Sequence, residues 1–277
     1  MSIDLFSIII FLGSLAAGFL GALTGLGGGV IIIPLLTVGL GVDIHYAIGA
    51  SCISVIATSS GAASAYVKEG ITNMRIGMFL EIATTIGAVI AGVYLSQVLD
   101  VSIIEIVFGF ILLFSAYMSL RKKVNHETNV PSGRYATMFK LNGSYPTKDG
   151  LSFYTVKNVI GGFFMMFFAG IMSGLLGIGS GALKVLAMDN IMRIPFKVST
   201  TTSNFMIGVT AAASAVVYFQ RGQIIPDIAA PVMIGVLIGA MLGAKVLVKA
   251  ETKWLRYGFA IVVSYLAIRM IYGGLQG

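Results

Sequence analysis

Charge is what this sequence lacks most. Only 10% of its 277 residues are Asp, Glu, Lys or Arg, whereas a soluble domain carries roughly 25%. With 57% hydrophobic residues and a mean hydropathy of +0.95, too few polar side chains remain to coat a globule of this length. That excludes an ordinary soluble fold and points to an integral membrane protein. Cysteine is nearly missing as well. Cys52 stands alone in an apolar run, so neither a disulfide framework nor a cysteine metal site is available. His45 shares a short loop with Asp43 and reads as a solvated residue, and no set of side chains supports metal or Ser-His-Asp chemistry. No basic region precedes the first apolar run, so that run reads as a membrane span rather than a cleaved signal peptide.

What is present is a series of apolar runs. Eight reach the roughly 20 residues that a span requires: 5–23, 47–67, 74–98, 103–120, 159–176, 198–219, 224–248 and 254–272. Two shorter runs, 30–40 and 182–191, each follow a glycine cluster. The polar interruption 121–157 holds Arg121, Lys122, Lys123, Arg134, Lys140, Lys148 and Lys157 against Glu127 and Asp149. It reads as a basic cytoplasmic linker, with an alternating pattern around Asn142-Gly143 and Asp149-Gly150 that predicts a β-hairpin. The net charge of +7 is then a property of inward-facing loops, with no meaning for nucleic acid.

The chain also matches itself. One offset of 152 residues pairs Gly18 with Gly170, Gly25 with Gly177, Gly27 with Gly179, Gly29 with Gly181, Ser51 with Ser203, Thr58 with Thr210, Tyr66 with Tyr218 and Gly70 with Gly222. An ungapped register that includes Ser, Thr and Tyr marks a tandem duplication, as in many transporters. The expected fold is an all-α polytopic membrane protein with a first repeat at 1–120, the linker at 121–157 and a second repeat at 158–277. Each repeat has four full spans and one short glycine-preceded helix. If the short helices cross, the halves are inverted; if they re-enter, the halves are parallel. Inversion places Lys68, Arg75, Arg193, Lys197, Lys249, Lys253 and Arg256 inside with the linker, so the positive-inside rule favours it.

Gly25-Leu26-Gly27-Gly28-Gly29 fits no nucleotide fingerprint, because no Lys-Ser/Thr follows it and no strand-helix-strand unit surrounds it. Glycines in a span allow close helix packing, or they break the helix so that free N–H groups meet a ligand. Two clusters at equivalent places favour the second use, with Gly25, Gly27, Gly28, Gly29, Gly177, Gly179, Ser180 and Gly181 around a central anion site. Lys184 either supplies positive charge to that site or snorkels to an interface. Ser51, Thr202, Ser203 and Asn204 are candidate hydrogen-bonding partners of the substrate, or else helix-to-helix bonds. Glu81 either carries a coupling proton or pairs with Arg75.

GLGGG with Pro34, and the string GIGSGALKVLAMDNIMRIPFKVSTTTSNFMIGVTAAASAVVY, resemble the sulfite exporter TauE/SafE family, also called toluene sulfonate uptake permeases. The resemblance covers nearly the whole chain. It departs from the family pattern at Ser180, where a glycine is usual, and at Leu186, where a proline matching Pro34 is expected. The resemblance implies a multi-pass permease of a prokaryotic plasma membrane, the cell inner membrane. It would move sulfite or an organosulfonate by alternating access with coupling to an ion gradient; the alternative is a passive anion channel on the same frame. The expected partners are the small anion, a coupling proton or sodium ion, the bilayer and a second copy in a homodimer. No nucleic acid, cofactor or enzymatic activity is expected.

Overall fold

The computed structural model of the chain describes residues 3–24, 27–68, 70–95, 98–120, 133–147, 150–249 and 253–276. Gly25, Leu26 and the linker segment 121–132 lie outside the described residues.

Five helical segments precede the linker. They are α1 (Ile3–Thr24), α2 (Gly29–Pro34), α3 (Ile44–Lys68), α4 (Met74–Ile90) and α5 (Val101–Leu120). A single π turn, Leu35–Gly39, prolongs α2, and another, Ala91–Leu95, prolongs α4. After the linker come α7 (Val159–Leu176), α8 (Gly181–Leu186) with a π turn Ala187–Ile191, α9 (Phe196–Gln220), α10 (Pro226–Lys249) and α11 (Lys253–Gln276). Six of these helices are long and apolar enough to cross a membrane, judged over the described residues. Large apolar side chains such as Met78, Ile82, Phe164, Phe168, Ile261 and Ile268 are exposed on the outer helices. Water would not tolerate so much contiguous apolar surface, whereas lipid accepts it. The chain is a multi-pass membrane protein.

The offset of 152 residues recurs in three dimensions. It carries the bounds of α2, its π turn and α3 onto those of α8, its π turn and α9, and the starts of α4 and α5 onto those of α10 and α11. Contacts follow the same rule with partners exchanged: α1 packs on α10 and α7 on α4, while α3 pairs with α9 and α5 with α11. Glycine sets the distance at both exchanged contacts. A Cβ at Gly235, Gly239 or Gly243 of α10 would strike the α1 backbone at Phe11, Leu15 or Phe19, and one at Gly170 or Gly174 of α7 would strike Thr84 or Ala88 of α4. Where neighbours in lipid are as apolar as the helices themselves, close backbone approach of this kind holds them together.

α3 and α9 run antiparallel. Gly49, near the start of α3, abuts Gln223, just past the end of α9, and the Asn73 N–H, just past the end of α3, donates to Thr202 Oγ1 in α9 at 3.1 Å. α5 and α11 are antiparallel too, since Gly109 meets Ala267 and Ile271 while Gly274 meets Ser102 and Ile106.

The linker folds onto one end of this bundle. Gly133 leads into one helical turn, α6 (Arg134–Met138). Ala136 is buried there, and Thr137 N–H donates back to the Gly133 carbonyl. Strands β1 (Gly143–Thr147) and β2 (Gly150–Tyr154) then pair antiparallel. Leu141, Tyr154 and Val156 root the pair in a buried cluster with Ile76, Leu80, Val159 and Met192.

Candidate functional site

The two glycine turns meet at the centre of the bundle. Gly27 and Gly179 hold φ of 83° and 71°, a left-handed backbone that glycine adopts without a Cβ clash. A Cβ at Gly179 would run into Val55 of α3 and Ile207 of α9, and one at Gly27 would crowd Ile207; Val55 and Ile207 occupy equivalent places near the middle of their helices. The Ile178 carbonyl faces Gly27, and the Ile178 Cα lies against Gly29. One turn therefore stacks on the other, and irregular backbone sits deep in the bundle, where only burial in protein or a lined cavity makes it tolerable.

Polar side chains from α3 and α9 hold the turns. Ser51 Oγ donates to the Gly177 carbonyl at 2.9 Å, crossing from the first half to the second. Ser203 Oγ donates to the Gly181 carbonyl at 3.3 Å, and Asn204 Nδ2 to the Ala22 carbonyl at 3.3 Å. Tyr218 OH lies 3.0 Å from the carbonyls of Gly174 and Leu175, at the end of α7. Among the described residues, Ser54 Oγ beside Gly28, Ser180 Oγ and the acceptor Asn204 Oδ1 are buried without a hydrogen-bond partner. A buried polar atom left unpaired costs about 1–3 kcal/mol.

A charged cluster lies beside the second turn. Lys184, one turn into α8, is fully buried, and its Nζ stands 3.3 Å from Glu81 Oε2 of α4, itself only 6% exposed. Thr210, near the middle of α9, links them: Lys184 Nζ donates to Thr210 Oγ1, which donates to Glu81 Oε1. Thr85 Oγ1 donates to Glu81 Oε1 at 3.3 Å. The equivalent positions in the other half hold Ile32, Met233 and Thr58, and Thr58 Oγ1 donates to the Ser54 carbonyl. The threonine recurs at the offset of 152 and the charges do not.

The structure thus gathers Gly27, Gly28, Gly29, Ser51, Gly177, Gly179, Ser180, Gly181, Lys184, Ser203 and Asn204 around one centre, with Glu81 at its side. Thr202 points elsewhere, to Asn73 at the linker end. There a cavity of about 310 Å³ is lined by Thr72, Asn73, Arg75, Ser144 and Tyr154. Arg75 Nη1 donates to the Lys140 carbonyl at 3.5 Å and so faces the linker. Thr210 and Ser54 are site residues that the motifs did not single out. The signal for Thr210 was its match to Thr58 in an apolar stretch of each half. Among the described residues no group of three His, Cys, Asp or Glu could hold a metal ion.

Comparison with known proteins places the chain in a family. The model of the family described as sulfite exporter TauE/SafE matches residues 10–270. The probable membrane transporter protein YunE of Bacillus subtilis is 30% identical over 98% of both chains. The probable membrane transporter protein YdhB of the same organism is 25% identical over 86% of this chain and 87% of its own. A probable membrane transporter protein of Methanocaldococcus jannaschii, MJ0441, is 24% identical over 92% and 91%. No solved structure matches. A family match over nearly the full length, on a bundle of apolar helices closed around a buried polar centre, shows that the chain belongs to the sulfite exporter TauE/SafE family and is a membrane transporter of that type.

Proposed function

We propose that the chain is a secondary transporter for a small sulfur-containing anion, sulfite or an organosulfonate, working by alternating access in a prokaryotic plasma membrane. The observation that carries this reading is the meeting of two glycine turns at a buried centre where, among the described residues, the Ser54 and Ser180 hydroxyls lack partners and Lys184 stands alongside. A compact oxyanion matches such a place: it accepts several short hydrogen bonds and is drawn to a cation and to helix N-termini. The match to a family described as a sulfite exporter supports sulfur oxyanions over other anions.

The antiparallel pairing of α3 with α9 and of α5 with α11 supports inverted repeats, each crossing five times with its short helix counted. Parallel repeats would align equivalent helices in the same direction. Two inverted halves around a midplane site can rock to open it to either side in turn. The linker and its basic residues then lie in the cytoplasm. Glu81 is the intramembrane carboxylate available for ion coupling. A passive channel would use the same hydrogen-bond donors but need no such group.

The test is a thermal-shift screen of the purified protein against sulfite, thiosulfate, sulfoacetate, phosphate and acetate. Selective stabilisation by sulfur anions is expected. Stabilisation by phosphate or acetate alone, or by none of the five, overturns the substrate class.

A further inference from the structure

We propose that Lys184 exchanges partners during transport, leaving Glu81 for the substrate anion only when Glu81 takes up a proton, so that one proton accompanies each anion. This rests on the anion-transport reading above and specifies its coupling.

The other half has no such pair. Ile32 is buried like Lys184, while Met233, in the position of the buried Glu81, is exposed on the outer surface. Replacing a buried ion pair with apolar residues is commonly neutral or stabilising, so stability does not account for one here. Its position suits a moving part. Lys184 belongs to the second half and Glu81 to the first, so rocking of the halves acts directly on their contact.

For a singly charged anion, electroneutrality sets the stoichiometry. Inside a bilayer a lone carboxylate or lone ammonium is strongly disfavoured. With the anion absent, Glu81 and Lys184 neutralise each other. When the anion arrives, Lys184 turns to it and Glu81 would be left charged, unless a proton from the same side adds to a carboxylate oxygen. The neutral acid keeps Thr210 as its hydrogen-bond partner. On the far side the anion leaves, Lys184 returns, and the proton departs from Glu81 into that compartment. Ser180, the residue that caps α8, has a buried hydroxyl with no partner among the described residues and offers the anion a second contact.

Few other charges surround the pair. α7 has no ionisable residue, and α9 brings Lys197 near its start and Tyr218 near its end. α5 brings Glu105 and Tyr117, and the π turn after α8 brings Asp189, which has an interaction of its own. α4 itself brings Arg75, which faces the Lys140 carbonyl, and the turn after it brings Tyr94. The hydrogen bonds of Glu81 and Lys184 side chains run to each other, to Thr210 and to Thr85.

The experiment uses the full chain in vesicles containing a pH dye, with methanesulfonate, thiosulfate and sulfoacetate as probes. These anions keep their charge between about pH 6 and 8, so any proton that moves is carried by the protein. In wild type, influx of singly charged methanesulfonate down its gradient should acidify the lumen, one proton per anion, and influx of the doubly charged thiosulfate and sulfoacetate should acidify it too. Glu81→Gln should still exchange anion but no longer acidify, and Lys184→Met should abolish anion flux. Glu81→Met with Lys184→Ile carries the residues of the other half and should fold without transporting. For a readout independent of the variants, probe binding to wild type should tighten as pH falls, by up to about tenfold per pH unit. Acidification that persists in Glu81→Gln, flux that persists in Lys184→Met, or wild-type binding indifferent to pH overturns the partner exchange while leaving anion transport standing. Absence of flux for all three probes in wild type overturns the transport reading, and this inference with it.

Discussion

Ser180 shows how one residue breaks the symmetry between the halves. It holds φ at 47°, left-handed and disfavoured for a residue with a Cβ, whereas Gly28 in the equivalent place is right-handed at φ −65°. Such a conformation costs about 1 kcal/mol. Ser180→Gly should therefore raise the melting temperature of the detergent-solubilised protein. It should also weaken sulfur-anion binding, because the unpartnered hydroxyl is lost. A melting temperature that falls would mean that the hydroxyl already stabilises the unliganded turn. The same scale shows where the sequence is mute. Glu81 and Arg75 sit six residues apart, which puts them on different faces of α4, so helix geometry alone disfavours that pairing. The actual partner, Lys184, lies 103 residues away, and no local pattern encodes a contact made when a helix of one half crosses to the other.

Among the elements, the helices were the most legible part. Apolar length marked them, and glycine clusters marked where α2 and α8 begin. The π turns were not legible: they occur at Leu35–Gly39 after Pro34 and equally at Ala187–Ile191 after Leu186, so proline is not their cause. The hairpin is fastened to the bundle through Tyr154. Asn73 Nδ2 donates to Tyr154 OH at 2.7 Å and to the Leu141 carbonyl at 3.1 Å, while Asn73 Oδ1 caps α4 by accepting from Ile76 N–H. Burial holds the Tyr154 phenol above its ordinary value near 10, an effect that the Asn73 hydrogen bond only partly offsets. The folded protein thus keeps this proton more tightly than the unfolded chain does. The docking contribution is complete below about pH 10 and is lost as pH rises from the unfolded towards the folded pKa. Tyr154→Phe should remove that alkaline sensitivity and cost about 1 kcal/mol at neutral pH through the missing hydrogen bond. Melting curves at about pH 8 and pH 11 would show both effects; an unchanged alkaline loss in the variant would assign it to another group.

At the scale of the whole molecule, the self-match at 152 residues anticipated that element bounds recur at the same offset, and glycine positions marked the central turns. What the register could not give was the exchange of partners, with α1 on α10 and α7 on α4, because equivalence within a sequence does not say which copies touch. Inversion predicts that the loops holding Asp43 and Arg193, at matching places in the two halves, face opposite sides of the membrane. In a Cys52→Ser background, Asp43→Cys should react with an impermeant maleimide in intact cells, and Arg193→Cys only after permeabilisation. Equal labelling of both in intact cells would mean parallel halves.

The central claim, a transporter that couples a sulfur anion to an ion gradient, is tested most directly by accumulation in vesicles. Purified protein in sealed vesicles, given labelled methanesulfonate, thiosulfate or sulfoacetate at equal concentration inside and out, is placed under an inward proton gradient. The account predicts that at least one anion rises above its external concentration and that collapsing the gradient releases it. An internal concentration that never exceeds the external one, whatever gradient is imposed, would contradict the account.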